Sequence, residues 1–286
     1  ALPIYAIDLV EEHTPQIAND KLDELLKIAE NNCFAVGLTT VCDAGIDYEM
    51  VKFLEEEYAK KRICIRIYAM LTPTEKNIDS IIKKGPFHTA GLYVSSIKLF
   101  ADGALGSRGA KLLKPYSDMS NTTGIFTITD KEFNEVCQLG YRYGFQVNTH
   151  CIGDAACHWA LTTYGKYLHG KNDLRWRIEH AQIVAPADLE LFGKYSIIPS
   201  VQTTHATSDM GWAAERLGSR IRNAYSYNDL LQQNGWLPNG SDFPIEDINP
   251  LYGYYAGVAR KSPKNPEKEA FQPENAISRK DALMAM

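Results

Sequence analysis

Four residues with side chains suited to metal binding or proton transfer lie near the ends of different predicted strands. They are Lys98, His150, His180 and Asp242. Singly, each has an ordinary explanation, such as a salt bridge from Lys98 to Asp102 or a turn-capping role for Asp242. Together they fall where a parallel α/β fold places its active site, at the carboxyl ends of the strands. Two imidazoles and a carboxylate suit a divalent metal such as zinc, so the sequence predicts a metal centre there.

Five further polar residues are candidates for contact with a substrate. They are Asp102, Arg108, Gln182, Gln202 and His205. An exposed surface position explains Arg108 equally well, and buried hydrogen bonding explains the two glutamines. We expect Asp154 to act instead as the N-cap of the helix that it opens.

Strand-like and helix-like segments alternate along most of the chain and predict a parallel sheet. We expect seven strands, at residues 34–42, 63–71, 93–101, 145–150, 175–180, 196–201 and 235–240. Several are almost entirely apolar, as strands covered on both faces are. A doubly wound sheet and a (β/α)8 barrel both fit this alternation. The glycine-containing segment 102–129 is too long for an ordinary connection, and such loops tend to be functional.

Composition and charge exclude several classes of protein. The chain has 286 residues, of which 45% are hydrophobic and 23% charged, which is typical of a globular protein. The net charge of −5 comes without a block of like charge, so neither nucleic acid nor a membrane surface is an expected partner. No apolar run approaches the ~18–20 residues that span a bilayer. The six cysteines form no CxxC motif and, with no signal-peptide pattern at the start, predict reduced thiols in a cytoplasmic protein.

Five motifs in chain order resemble amidohydrolase family 3. The longest is Ile-Lys-Leu-Phe-Ala-Asp-Gly-Ala-Leu-Gly-Ser-Arg at residues 97–108, which resembles the signature of the fourth strand. Residues 37–41, 149–154, 178–182 and 240–244 resemble the second, fifth, sixth and eighth strands. Within the family, the likeness is greatest to the branch that resembles N-substituted formamide deformylases.

The resemblance implies a (β/α)8 TIM barrel of the metal-dependent hydrolase type, with strands 2–8 present in one catalytic domain over residues 1–286. It implies one or two divalent metal ions, with zinc the expected element, and a carboxylated Lys98 that bridges them. His150 and His180 match the metal-binding histidines, and Asp242 matches the catalytic aspartate, which also binds metal. The implied reaction is hydrolysis of a C–N bond in a small amide-type substrate by a metal-activated water.

The resemblance is incomplete at both ends of the chain. The family has a His-x-His pair on its first strand and a β-sandwich built from both termini, whereas no two of the seven histidines here are spaced two apart. We therefore expect a fragment with weak or partial metal occupancy. Its open strand edges should pair with a second copy, as a homodimer, or with a second chain that supplies the missing strand. The alternative is a catalytically inactive member that serves as an α/β scaffold.

Overall fold

The computed structural model describes residues 13–15 and 19–286, in which helices and strands alternate. The first twelve residues of the predicted domain, in which the sequence shows no signal-peptide pattern, lie outside the described residues. The strands are β1 Thr40–Ile46, β2 Arg66–Leu71, β3 Phe87–Thr89, β4 Leu92–Phe100, β5 Gln146–Cys151, β6 Arg177–His180 and β7 Ile198–Ser200. The α-helices are α1 Asn19–Ala35, α2 Tyr48–Ala59, α3 Glu75–Ser80, α4 Asp130–Tyr143, α5 Asp154–Leu168, α6 Leu189–Tyr195, α7 Thr203–Asp209, α8 Ala213–Leu217, α9 Tyr227–Asn234, α10 Pro250–Ala259 and α11 Arg279–Met284.

The described residues form two compact units, each with its own contacts. Of the described residues, the first unit holds 13–15, 19–99 and 131–148, and the second holds 100–130 and 149–286. The prediction of a single domain over 1–286 stays a prediction.

In the first unit, β1, β2 and β4 lie side by side and parallel, and the short β3 pairs antiparallel with β4. Apolar side chains of β2 and β4 are buried, and Met70, Val94 and Ile97 are each at most 2% exposed. Burial of such side chains stabilises the sheet by roughly 1.5–3 kcal/mol each. Lys98 is also buried, near the carboxyl end of β4.

In the second unit, β6 pairs with β7 in parallel, and Val201 forms a single parallel bridge with Asn239. Helix α6 packs against α5 and α9 behind these strands. Trp176 and Phe192 are completely buried there. Parallel strands bring their carboxyl ends to the same edge, and this edge carries the candidate site.

The predicted α/β class with parallel strands is confirmed, but the first and last predicted strands are wrong. Residues 34–42 do not form one strand, because α1 continues to Ala35 and Gly37 turns the chain at a φ of 83° before β1 begins. The predicted strand at 235–240 is reduced to the bridge at Asn239, since Gly235 ends α9 in the left-handed conformation.

No helix of the described part of the chain combines the length and the apolar character that crossing a membrane requires. All six cysteines are free thiols, as the sequence predicts. The cytoplasmic localisation stays a prediction.

Candidate metal centre

Two of the predicted metal ligands lie against each other in the second unit. His150 is near the end of β5 and His180 ends β6, and their ring centroids are 4.5 Å apart with the ring planes at 75°. Both side chains are buried. Buried imidazoles at this separation are the chemistry that a divalent transition metal prefers, so this pair fits the predicted centre.

Gln202 fixes the orientation of the His180 ring. The amide oxygen Oε1 of Gln202 lies 2.7 Å from Nδ1 of His180 and accepts its N–H. The main-chain carbonyl of Gln202 accepts the hydroxyl of Tyr227 at 2.8 Å, which holds the glutamine in turn. With the proton on Nδ1, the lone pair of Nε2 is directed away from Gln202 and is available to a metal. Gln202, predicted as a substrate contact, lies behind His180 in this arrangement.

The backbone is strained where β6 ends. His180 and Ala181 both have positive φ values, 73° and 42°, and Asp242 has a φ of 55°. This left-handed conformation is unfavourable by roughly 1–2 kcal/mol for a residue that has a Cβ. Positive φ values also occur at residues outside this region, such as Lys61 and Gln272, so the conformation alone does not mark a site.

A third histidine lies next to the pair. The ring of His205, in α7, stacks on the ring of His180 at a centroid distance of 5.9 Å. Its Nε2 is buried and has no hydrogen-bond partner among the described residues. Burial, followed by the charge of His180, lowers the pKa of His205 to about 3, so this imidazole is neutral at physiological pH. Over residues 13–15 and 19–286, no group of three or more His, Cys, Asp or Glu side chains is arranged to hold a metal ion.

Asp102 ties the long loop to the end of β5. Its carboxylate accepts the main-chain N–H groups of Lys111, Ile152 and Gly153 at 2.8, 3.0 and 2.8 Å. The side chain is completely buried, and Oδ1 is 3.5 Å from Nε2 of His150. Burial raises the pKa of Asp102 to about 7, and the three N–H groups act in the opposite direction. The structure thus places Asp102 behind His150, as an anchor for the loop.

The turn after β5 is shaped by a close approach of the backbone. A Cβ at Gly153 would lie 2.0 Å from the carbonyl oxygen of Lys111, so only glycine allows the long loop to pass here. Gly153 is the N-cap of α5, so Asp154 is not the N-cap residue, but its carboxylate accepts the N–H of Ala155 in the first turn of α5 at 3.1 Å. The carboxylate of Asp154 accepts the N–H of Leu113 at 2.8 Å and forms a second attachment of the loop.

The other predicted site residues lie in three different settings. Arg108 forms two hydrogen bonds to Asp118, at 3.2 and 2.7 Å, and Arg216 also binds that carboxylate. Lys98 is buried on β4 in the first unit. Asp242 lies in an exposed turn of the second unit, where its carbonyl accepts the N–H of Ile245 at 2.8 Å.

Gln182, a predicted substrate contact, belongs to a cluster that the sequence did not reveal. Its amide donates to the Tyr225 hydroxyl at 3.1 Å and to Oδ2 of Asp209 at 3.4 Å. Tyr225 also donates to Oδ2 of Asp209, at 2.8 Å. Burial raises the pKa of Asp209 to about 6. Asp209 follows His205 by four residues, and this spacing brings two side chains together only in a helix. Helix α7 was not predicted from the sequence.

Comparison with known proteins identifies the class to which this fold belongs. The model of the amidohydrolase family matches residues 4–286. The Arabidopsis thaliana protein LONG AFTER FAR-RED 3 is 32% identical over 98% of this chain and 50% of its own length. The putative amidohydrolase YtcJ of Bacillus subtilis is 29% identical over 90% of this chain and 49% of its own. A solved structure of an uncharacterized metal-dependent hydrolase from Pyrococcus furiosus is 27% identical, with a TM-score of 0.83 over 95% of this chain and 55% of that one.

The chain belongs to the amidohydrolase family. Its fold is the predicted α/β architecture of that family's metal-dependent hydrolases, an incomplete (β/α)8 barrel. The chain spans about half the length of the curated relatives that it matches.

Proposed function

We propose that this chain carries the catalytic residues of a metal-dependent amidohydrolase that hydrolyses a non-peptide C–N bond of a small amide-type substrate. The observation that carries the proposal is the buried pair of His150 and His180, with Gln202 holding His180 in the tautomer that a metal requires. The family membership and the name of the Pyrococcus furiosus structure support a metal-dependent hydrolase, and the C–N bond is our proposal.

His150 and His180 would hold the metal, and the sequence resemblance adds Asp242 and a carboxylated Lys98 as further ligands. For Lys98 this assignment rests on the resemblance alone. A bound divalent ion, for which zinc is our proposal, would lower the pKa of a water and polarise the scissile carbonyl. Asp242 would accept the proton of the attacking water and return it to the leaving nitrogen.

The likeness to N-substituted formamide deformylases makes N-substituted formamides the first substrates to test. Formate release from the zinc-loaded full chain measures the reaction directly. We expect His180→Ala to lower kcat/KM by at least about 100-fold, because even the residues behind a metal ligand contribute 10–100-fold. His158→Ala is the matched control, since His158 pairs with Asp188 at 2.8 Å and is half exposed. Equal activity of the two variants would contradict the proposed centre, and no hydrolysis by the wild-type chain would favour the non-catalytic scaffold.

We also propose that β1 pairs with a second polypeptide, either a second copy of this chain or a separate strand-supplying chain. Of the described strands, β2 is the one that pairs with β1, and most residues of β1 are exposed. A parallel strand with one open edge is a template for pairing. Sedimentation of the purified chain tests this, and a monodisperse monomer would contradict it.

A further inference from the structure

Asp209 carries a negative charge that its surroundings do not compensate. Tyr225 and Gln182 both donate to the same oxygen, Oδ2, and the Ser208 side chain also hydrogen-bonds Asp209; these three donors are neutral. Among residues 13–15 and 19–286, no lysine, arginine or histidine forms an ion pair with Asp209. The acidic Glu246 is also close enough to disfavour the charge of Asp209. Holding a partly buried carboxylate in this setting costs free energy unless a cation joins it.

His205 supplies an independent sign of a missing ligand. It precedes Asp209 by four residues in α7, so the two side chains lie on one face of the helix, one turn apart. The imidazole is 9% exposed, and its Nε2 has no hydrogen-bond partner in the described part of the chain. Unpaired buried nitrogen atoms are rare in proteins, because each costs about 1–3 kcal/mol. We call His205 and Asp209 together the α7 face.

We propose that the α7 face binds a hydrogen-bond-donating cationic group of the substrate, namely a primary ammonium. The inference rests on the proposed function and names its substrate class: an amide that carries an amino group a few bonds from the scissile C–N bond. The stacking of His205 on His180, at a centroid distance of 5.9 Å, places this face beside the candidate metal centre.

The hydrogen bonds at Asp209 favour an ammonium over a guanidinium. A guanidinium binds a carboxylate through two parallel hydrogen bonds, which requires both oxygen atoms. Oδ2 of Asp209 already accepts two hydrogen bonds, from Tyr225 and Gln182. An ammonium needs one oxygen at a time, and its other hydrogens can reach an imidazole nitrogen.

A pair of isosteric substrates tests the inference. N-(4-aminobutyl)formamide and N-pentylformamide differ in the replacement of a terminal ammonium by a methyl group. We expect the zinc-loaded full chain to prefer the first, and Asp209→Asn to lower kcat/KM for it by about 10–100-fold, the worth of a hydrogen bond to a charged group. The same variant should change kcat/KM for N-pentylformamide less than about twofold. Asp229→Asn, at an exposed position in the first turn of α9, is the control and should change neither value.

Two results would overturn the inference: no preference of the wild-type chain for the ammonium substrate, or an equal loss on both substrates in Asp209→Asn. If neither formamide is hydrolysed, the proposed function fails, and calorimetric titration with 1,4-diaminobutane decides the inference separately. Binding to the wild-type chain that weakens at least tenfold in Asp209→Asn would support the α7 face as a cation site. Equal affinity of the two proteins would overturn it.

Discussion

Asp102 and Asp209 are two carboxylates of the same unit whose surroundings differ. Burial raises the pKa of both, to about 7 and about 6. Asp102 accepts three main-chain N–H groups, which hold a loop against the end of a strand. Asp209 accepts hydrogen bonds from the neutral side chains of Tyr225, Gln182 and Ser208 and lies near a second acid, Glu246. The completely buried Asp102 is thus part of the scaffold, whereas the partly buried Asp209 is the carboxylate that we propose receives a ligand.

The largest expected difference between Asp102 and Asp209 is in the free energy of unfolding that each carboxylate contributes. Asp102→Asn places an NH2 group against main-chain N–H donors that have no other acceptor, and should lower the free energy of unfolding by about 2–4 kcal/mol. Urea denaturation measures it, with Asp173→Asn at an exposed position as the control. A loss for Asp102→Asn no greater than for the control would mean that the three hydrogen bonds do not anchor the loop.

Asp209→Asn should behave oppositely and leave the protein as stable as the wild type, or up to about 1 kcal/mol more stable at pH 8. The substitution keeps the shape and removes a charge that the described residues do not compensate. Unfolding of Asp209→Asn in the same urea series checks this. Destabilisation as large as that expected for Asp102→Asn would show that Asp209 is also a structural anchor.

The pH dependence of stability sharpens the same distinction. Because the pKa of Asp209 is raised from its ordinary value of 3.8 to about 6, the native state binds more protons than the unfolded state between these values. Its contribution to stability is therefore present at acidic pH and is lost as the pH rises through about 6. We expect the melting temperature of Asp209→Asn to fall less between pH 5 and pH 8 than that of the wild type. Identical slopes would contradict the raised pKa.

The smallest effect is expected at Asp118, which joins Arg108 and Arg216 near the surface. Its hydrogen bond to Arg108 lowers the pKa of Asp118, so the contribution to stability is present near neutral pH and is lost as acid protonates the group. Exposed ion pairs contribute little and are screened by salt. Asp118→Asn should lower the melting temperature slightly at low ionic strength and not at 1 M NaCl. A decrease that persists in high salt would point to a packing role.

The sequence predicted the parts of the fold that depend on local patterns. Apolar runs predicted β2, β4, β5, β6 and β7 near their observed positions, and the strand ends led to His150 and His180. The ends of the pattern were wrong where glycine conformations decide, at Gly37 and Gly235. Both glycines follow the end of a helix and have positive φ in open space, a helix-ending signal that a count of apolar residues does not use.

The contacts behind the site could not be predicted in the same way. Asp102 binds main-chain groups up to 51 residues away, and Asp154 binds one 41 residues away. From the local sequence alone, a carboxylate with such a distant partner cannot be distinguished from one that caps a helix. The α7 face could not be predicted for a related reason. His205 and Asp209 lie on one face only because residues 203–209 form a helix, and this seven-residue helix has no apolar periodicity from which it could be predicted.

The central claim, that His150 and His180 bind a divalent metal, is tested most directly by zinc affinity. Competition with a chromophoric chelator measures the dissociation constant of zinc for the full chain, for His150→Ala, for His180→Ala and for the control His158→Ala. The account predicts a loss of at least about 100-fold for each of the first two variants and wild-type affinity for the control. Unchanged zinc affinity in His150→Ala and His180→Ala would contradict it.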